Sequence, residues 1–255
     1  MILHYMSDLH LEFTQNQEYL EDIDGATSGD ILLLAGDITY LKDSFCGFAA
    51  WYLRNMSRRY RQVLIVPGNH EYYAYDDIRK YGDSWTKQLY PNVGYHQNKV
   101  VRIDNTDFIL STLWSKISAE DEETVWCGLN DFRRIGYNGD NLRPKEYNEE
   151  HDRCLQFIRE AVAQSDAEHI VVVTHHAPSL HTVAPEHQTS PLRTAFATDL
   201  DDFIKDSRID YWVYGHSHTN IDCQVGQTKI VCNQLGYVSH HEDMQGFDYN
   251  KYFEL

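Results

Sequence analysis

His216 and His218 stand one residue apart on a turn opened by Gly215, directly after the apolar run Tyr211-Trp212-Val213. Two imidazoles so spaced at the end of a short strand can be turned toward one point, as a metal ion requires of its ligands. The pair alone is weak, since turn histidines are usually solvated. Its weight comes from four other apolar runs that end in ligand-type residues: Asp8 and His10 after residues 2–6, Gly36-Asp37 after 31–35, Gly68-Asn69-His70-Glu71 after 63–66, and His175-His176 after 170–173. Carboxylates and imidazoles joined by a neutral amide suit divalent Mn, Fe, Zn or Co better than Ca or Mg, and the lack of thiolates argues against a structural zinc site. Asp8, His10, Asp37, Asn69, His175, His216 and His218 together exceed what one tetrahedral ion takes. Two ions about 3.5–4 Å apart can share a carboxylate and jointly activate a water for in-line attack on phosphorus, so the expectation is a dinuclear centre.

Such a centre needs five strand ends in one place, and the apolar patterning supplies the strands. In open α/β sheets ligands bind beyond the carboxyl ends of the strands, where all seven residues fall. Between the second and third runs, Phe48, Tyr52, Leu53, Met56 and Tyr60 recur at helical steps, so a strand, helix, strand unit with parallel pairing is expected. Residues 14–29 read as a polar loop, and Ile78, Tyr81, Trp85 and Leu89 as a further helix ending near Pro91. Residues 100–103 and 108–110 read as a hairpin around Asp104-Asn105-Thr106-Asp107. Residues 114–143 are irregular and read as a loop insertion, of the kind that often carries function. Pro144 suits a first helical turn, followed by a face of Tyr147, His151, Cys154, Leu155, Ile158 and Val162. A short helix with Leu200, Phe203 and Ile204 precedes the opening motif, and a β-rich tail begins at Lys229.

The 255 residues carry 39 acidic and 22 basic side chains, a formal charge of -17. That field repels phosphate backbones, so extended nucleic acid is disfavoured as a partner. The five cysteines show no C-x-x-C spacing, which suits a reducing cytoplasm better than a disulfide framework. No run approaches the ~20 apolar residues of a membrane span, and the N-terminus does not read as a leader.

The ordered set Asp8-x-His10, Gly36-Asp37, Gly68-Asn69-His70-Glu71, His175 and Gly215-His216-x-His218 resembles the calcineurin-like metallophosphoesterase superfamily, with all five motifs intact. The resemblance implies an α/β (α+β) fold, a four-layer sandwich of two mixed β-sheets flanked by helices with the site at one edge. We read it as one domain over 1–255 with the insertion at about 114–143. It further implies one metal on Asp8, His10 and His218, another on Asn69, His175 and His216, and Asp37 bridging them. His175 matches the ligand position, which leaves His176 behind the ligands or in the packing. His70 matches the histidine that contacts the phosphate and protonates the leaving alkoxide, work suited to a pKa near neutral.

The activity so implied is phosphatase or phosphodiesterase chemistry, attack by a metal-bound hydroxide on a monoester or diester of a small molecule or nucleotide. A nuclease and a non-catalytic scaffold of the same fold are the alternatives. Arg133 and Arg134 in the insertion are candidate phosphate contacts, because an arginine fork matches phosphate oxygens, with a local salt bridge as the competing reading. Tyr72 is a candidate for the pocket wall. His4, His96, His151, His181, His187, His240 and His241 read as surface or core histidines, with His181 and His187 in a loop that could face substrate. The run at 120–123 reads as a solvated acidic face.

Overall fold

Strands that are apolar at nearly every position, such as Ile31-Leu32-Leu33-Leu34, must be covered on both faces. The computed structural model describes residues 1–21 and 28–255 and shows how this is done. The strands in chain order are β1 (Ile2–Met6), β2 (Gly29–Leu34), β3 (Tyr60–Ile65), β4 (Asp76–Asp77), β5 (Trp85–Tyr90), β6 (Val93–Gln97), β7 (Lys99–Ile103) and β8 (Thr106–Ser111). They continue with β9 (Ile135–Tyr137), β10 (Asp140–Asn141), β11 (His169–Thr174), β12 (Tyr211–Tyr214), β13 (Cys223–Val225), β14 (Thr228–Cys232) and β15 (Tyr252–Glu254). The helices are α1 (Thr14–Glu21), α2 (Gly47–Arg59), α3 (Glu122–Gly128), α4 (Asp131–Arg134), α5 (Pro144–Gln164) and α6 (Asp201–Lys205).

Two six-stranded sheets run in the orders β15-β1-β2-β3-β6-β5 and β13-β14-β12-β11-β8-β7. In each, four central strands pair in parallel and both edges are antiparallel. Period-two alternation separates the cover. Leu3, Tyr5, Ile31, Leu33 and Leu64 face Phe108, Leu110, Val171, Val173 and Val213 in a core between the sheets. Leu32, Leu34, Val63 and Ile65 pack outward on Ala49, Tyr52, Leu53 and Met56 of α2. Val172, Ile170 and Trp212 pack outward on Ile158 and Val162 of α5 and Ile204 of α6. The result is helix, sheet, sheet, helix, with the parallel strands of both sheets delivering their carboxyl ends to the same edge.

Three expectations are corrected. Residues 14–21 are not loop but α1, whose buried Asn16 donates to the carbonyls of Leu9 and Gly236; residues 22–27 of the expected loop lie outside the described residues. The helix expected over Ile78 to Leu89 is a three-ten turn, Ile78–Tyr81, followed by β5, which pairs antiparallel with β6 across the Pro91-Asn92 turn. The insertion at 114–143 is not structureless: it holds α3, α4 and the β9-β10 hairpin, and β9 pairs with β4 in a small third sheet.

Candidate metal centre

The candidate residues sit on tight loops just past the strand ends, and those loops bend sharply. Asp8, His10, Asp37, His216 and His218 all have positive φ, between 46° and 73°. Side-chain-bearing residues seldom adopt that region, and such strain, of order 1–3 kcal/mol each, concentrates at functional sites. Two glycines make the close approach possible. A Cβ on Gly215 would lie 2.7 Å from both Asp8 Oδ2 and Ser7 Oγ, and one on Gly68 would lie 2.7 Å from the Asp37 backbone nitrogen and 2.8 Å from His175 Nε2.

The resulting geometry centres on Asp37. Its Oδ1 accepts the backbone N–H of His70 at 2.8 Å, while its Oδ2 lies 4.0 Å from His10 Nε2 and 3.4 Å from His175 Nε2. One oxygen of one carboxylate therefore faces both flanking histidines. On the first side His10 Nε2 lies 3.0 Å from His218 Nε2, which is 3.3 Å from Asp8 Oδ1. On the second, His175 Nε2 lies 3.0 Å from Asn69 Oδ1 and 3.2 Å from His216 Nδ1. Asp8, His10 and His218 form one group able to hold an ion and Asp37, His175 and His216 another, the ligand atoms of each lying within 4.8 Å of one another.

Anchors behind the site turn the right atom inward. His10 Nδ1 is 3.1 Å from Glu12 Oε1, His218 Nδ1 is 2.6 Å from Glu242 Oε2, and His175 Nδ1 is 2.9 Å from the Ala35 carbonyl. With both rings neutral and each Nδ1–H donated outward, the Nε2 lone pairs of His10 and His218 would face each other at 3.0 Å, and a bound cation would take the place of the proton that Asp8 and Glu242 favour on His218. The Asn69 amide is oriented likewise, its Nδ2 donating to Asp131 Oδ1 at 2.9 Å so that Oδ1 points to the centre. His216 Nε2 is buried with no partner. A nitrogen and oxygen donor set of this kind, with its outer atoms already satisfied, fits divalent transition metals.

Glu71, though part of the Gly-Asn-His-Glu motif, had no assigned task in the sequence. Its carboxylate accepts the backbone N–H groups of Asp37, Ile38 and Gly68 at 3.0, 2.9 and 2.7 Å and so ties two ligand loops together. Glu12, Tyr73, Asp131, Tyr237 and Glu242 were also missed. Glu12 bridges His10 and His70, whose Nδ1 it meets at 2.7 Å. Tyr73 stacks on the His70 ring at 4.1 Å and donates to Asp131, and Tyr237 OH lies 3.1 Å from His70 Nε2.

Burial works to neutralise the carboxylates here, yet the imidazoles win. His218 holds Asp8 below the usual carboxylate range, and His175 and His70 hold Asp37 well below it. Against the same burial, hydrogen bonds from His10 and His70 bring Glu12 to about 2. Glu71 goes the other way, raised to about 7 by burial and by the charge of Asp37. Among the histidines, burial opposes protonation throughout. Asp37 nevertheless lifts His175 to about 9, and Asp8 and Glu242 lift His218 to about 10. His216 falls to about 3 through burial and the charge of His175. His70 is raised above its ordinary value because Asp37 and Glu12 outweigh its burial.

A cleft of about 490 Å³ opens over Asp37, Asn69, His70, His216 and His218. Arg133, Arg134 and Tyr72 do not line it. The Arg133 guanidinium caps α3 by donating to the carbonyls of Cys127 and Leu129, and Arg134 lies over the Tyr73 ring at 5.0 Å and bonds to Tyr40 OH. Tyr72 is 1% exposed and packs against Trp114; its neighbour Tyr73 forms the wall instead. His187 reaches the cleft, whereas His181 pairs with Asp201 at 3.1 Å outside it. His176 is packed behind His216, with Nε2 3.0 Å from Tyr147 OH.

Comparison with known proteins agrees with this architecture. The chain is 29% identical over 278 residues to an uncharacterized protein of Acanthamoeba polyphaga mimivirus, covering 97% of this chain and 95% of that one. Its fold resembles that of phosphopantetheinyl hydrolase from Mycobacterium tuberculosis, with a TM-score of 0.67 and 18% identity over 98% of this chain and 94% of that one. It also resembles a dimetal phosphatase from Danio rerio, with a TM-score of 0.51 and 13% identity over 92% and 87% of the two chains. Residues 2–220 match the calcineurin-like phosphoesterase family, and the chain belongs to that family.

Proposed function

We propose that this protein hydrolyses a small phosphorylated molecule, a phosphate monoester or diester, using two divalent ions drawn from Mn, Fe, Zn and Co. Asp8, His10 and His218 would hold one ion and Asn69, His175 and His216 the other, with Asp37 shared. The observation that carries this reading is the single Asp37 oxygen facing His10 on one side and His175 on the other. Divalent cations bound there supply Lewis acidity and lower the pKa of an attacking water.

The protein groups supply position and protons. Glu12 accepts from His70 Nδ1 and fixes the ring, while Asp37 and Glu12 favour its charged form, so Nε2 holds a proton toward the cleft for the leaving oxygen. Tyr237 OH accompanies that nitrogen and Tyr73 supports the ring face. Glu71 and Asp131 hold the ligand loops so that ligand atoms need not reorganise as charge develops on the phosphoryl group. The charge of -17 and a cleft of about 490 Å³ favour a small substrate over an extended nucleic acid. Five unpaired cysteines favour a reducing compartment, the cytoplasm. No described helix is long and apolar enough to cross a membrane.

The test is a hydrolysis panel of a nitrophenyl monoester, its diester, cyclic nucleotides and single-stranded DNA with Mn, Fe, Zn, Co, Ni or Mg added separately. Turnover of a small ester that needs a transition metal and vanishes in Asp37→Ala is expected. His70→Ala should lose most turnover on a poor leaving group while still binding metal. Metal-independent turnover, or none on any small ester, would overturn the reading, and preferential cleavage of DNA would establish the nuclease alternative.

A further inference from the structure

The cleft has a second part that the hydrolytic chemistry does not use. Beyond the candidate ligands, its lining comes from the segment 182–197 and from Gly128 to Asp131 in the insertion. That segment is fixed at both ends. Ala177 N–H donates to the Phe196 carbonyl at 3.2 Å, Thr198 N–H donates to the Ala177 carbonyl at 3.0 Å, and Ser179 Oγ donates to Asp201 at 2.6 Å. It is also fixed in the middle. Thr194 Oγ1 donates to Asp121 of the insertion at 3.3 Å, and a Cβ on Gly128 would lie 3.0 Å from Leu192 Cδ2, so the two segments are in contact. The segment is a wall with a defined shape, not a free loop.

The chemistry of this wall is uneven. Leu129, Val183, Ala184, Leu192 and Phe196 give it an apolar surface, and Arg193 is the only lysine or arginine lining the cleft among the described residues. Arg193 sits on the three-ten turn Pro191–Ala195, whose first residues are set by Ser190 Oγ accepting the Leu192 N–H at 3.2 Å. Its Nη1 donates to the Gln188 carbonyl, and it forms no ion pair with any described carboxylate. A chain with 39 acidic side chains would readily supply one. An arginine fork left without a carboxylate beside an apolar surface is matched to a planar anionic group carried on an apolar body.

We propose that this wall is the leaving-group site, and that the substrate is a phosphoester whose alcohol portion carries an apolar or aromatic body and a second anionic group, a carboxylate or phosphate, held by Arg193. This rests on the hydrolase reading above, in which the scissile phosphoryl group is met by the metal centre and His70, leaving Arg193 for a different anion. The apolar body lies along Leu129, Val183 and Leu192. Arg193 is a specificity-determining residue: it sets which esters are bound and takes no part in bond making or breaking.

The experiment measures binding separately from turnover. Titration calorimetry on the full-length, manganese-loaded protein compares four inert probes: methylphosphonate, phenylphosphonate, 4-carboxyphenylphosphonate and 1,4-phenylenediphosphonate. The expected order places phenylphosphonate tighter than methylphosphonate, and at least one doubly anionic probe about tenfold tighter again, the range for a charge-assisted hydrogen-bonded pair. Which of the two gains more distinguishes a carboxylate from a phosphate partner. In Arg193→Gln the ratio between the doubly anionic probe and phenylphosphonate should fall to about one, in Arg193→Glu it should invert, and in Leu192→Asp the phenyl preference over methyl should be lost. Arg193→Lys keeps the charge without the fork and should fall between.

Equal wild-type affinity for phenylphosphonate and both doubly anionic probes overturns the proposal. So does a uniform loss across all four probes in Arg193→Gln, which would place Arg193 on the scissile phosphoryl group. If the wild type shows the expected order but hydrolyses no corresponding phosphate ester, the hydrolase reading fails while the anion site stands.

Discussion

Replacing Asp131 by alanine tests whether the insertion contributes to the metal centre. The Asp131 Oδ1 accepts from Asn69 Nδ2 at 2.9 Å and from Tyr73 OH at 2.7 Å, and all three residues are buried, with Asp131 1% exposed. Removing the acceptor strands the buried Tyr73 hydroxyl and leaves Asn69 Nδ2 with its longer 3.3 Å bond to that hydroxyl, at about 1–3 kcal/mol for each donor affected. Part of that is offset, because Asp131 is itself a buried carboxylate whose pKa is raised by burial and whose Oδ2 has no partner. A net loss of roughly 2–4 kcal/mol follows. The Asn69 amide would then lose its shorter Nδ2 bond and keep the 3.3 Å one to Tyr73 OH, and loss of such an outer partner weakens metal affinity by about 10–100-fold. The effect should fall on one of two ions, since His10 is anchored by Glu12, His218 by Glu242 and Asp8 by Ser7 Oγ and the His216 N–H, none of them through Asp131. Urea unfolding of the metal-stripped protein reads the first quantity and manganese titration the second. Asp131→Asn retains an acceptor oxygen and should recover most of both. Asp131→Ala binding two manganese ions with wild-type affinity would refute the reasoning.

Gly215→Ala places a methyl group 2.7 Å from Asp8 Oδ2 and Ser7 Oγ, so it should cost about 1–3 kcal/mol and lower manganese affinity, as thermal unfolding and titration would read; an unchanged titration would separate the turn from the site. Burial, with a smaller contribution from Lys99, lowers His96 to about 4, well below its ordinary 6.5, and its Nε2 is buried without a partner. The unfolded chain therefore takes up this proton first, and stability should fall as pH drops from about 6.5 to about 4 by at most ~3 kcal/mol. His96→Gln should flatten that part of the urea-midpoint profile, and a profile parallel to wild type would exclude His96 as its source.

The strand ends were legible because both faces of the central strands are buried, so apolar runs such as Ile170-Val171-Val172-Val173 stand out and their ligand-type endings can be read directly. Helix α5 was legible for the opposite reason, one buried stripe at helical spacing after Pro144. Helix α1 was hidden because its buried residues are Asn16 and Leu20 and its cohesion comes from side-chain hydrogen bonds, which leave no apolar period. Trp85 and Leu89 mimic a helical step, but Pro91-Asn92 turns β5 back on β6. The insertion did carry a signal in Val125, Leu129, Phe132 and Ile135, buried at three- and four-residue steps, obscured by the charged residues between them. Glu12 stands beside a recognised motif and Glu71 within one, yet acceptors that orient ligands have no spacing rule of their own. Tyr237 and Glu242 come from the chain beyond β14, which the parallel pairing of β14 with β12 and the bridge between Ser7 and Gln234 bring to the same edge. Arg133 and Arg134 fall outside the cleft lining, and in sequence a basic pair in an insertion looks the same whether it caps a helix, stacks on a tyrosine or binds phosphate.

The central claim is a pair of metal ions sharing Asp37. Its most direct test is the number of manganese ions that the metal-stripped, full-length protein takes up at saturation, measured by titration and elemental analysis. The account predicts two per chain, falling to one or none in Asp37→Ala. Saturation of the wild-type protein at one ion or none would contradict it.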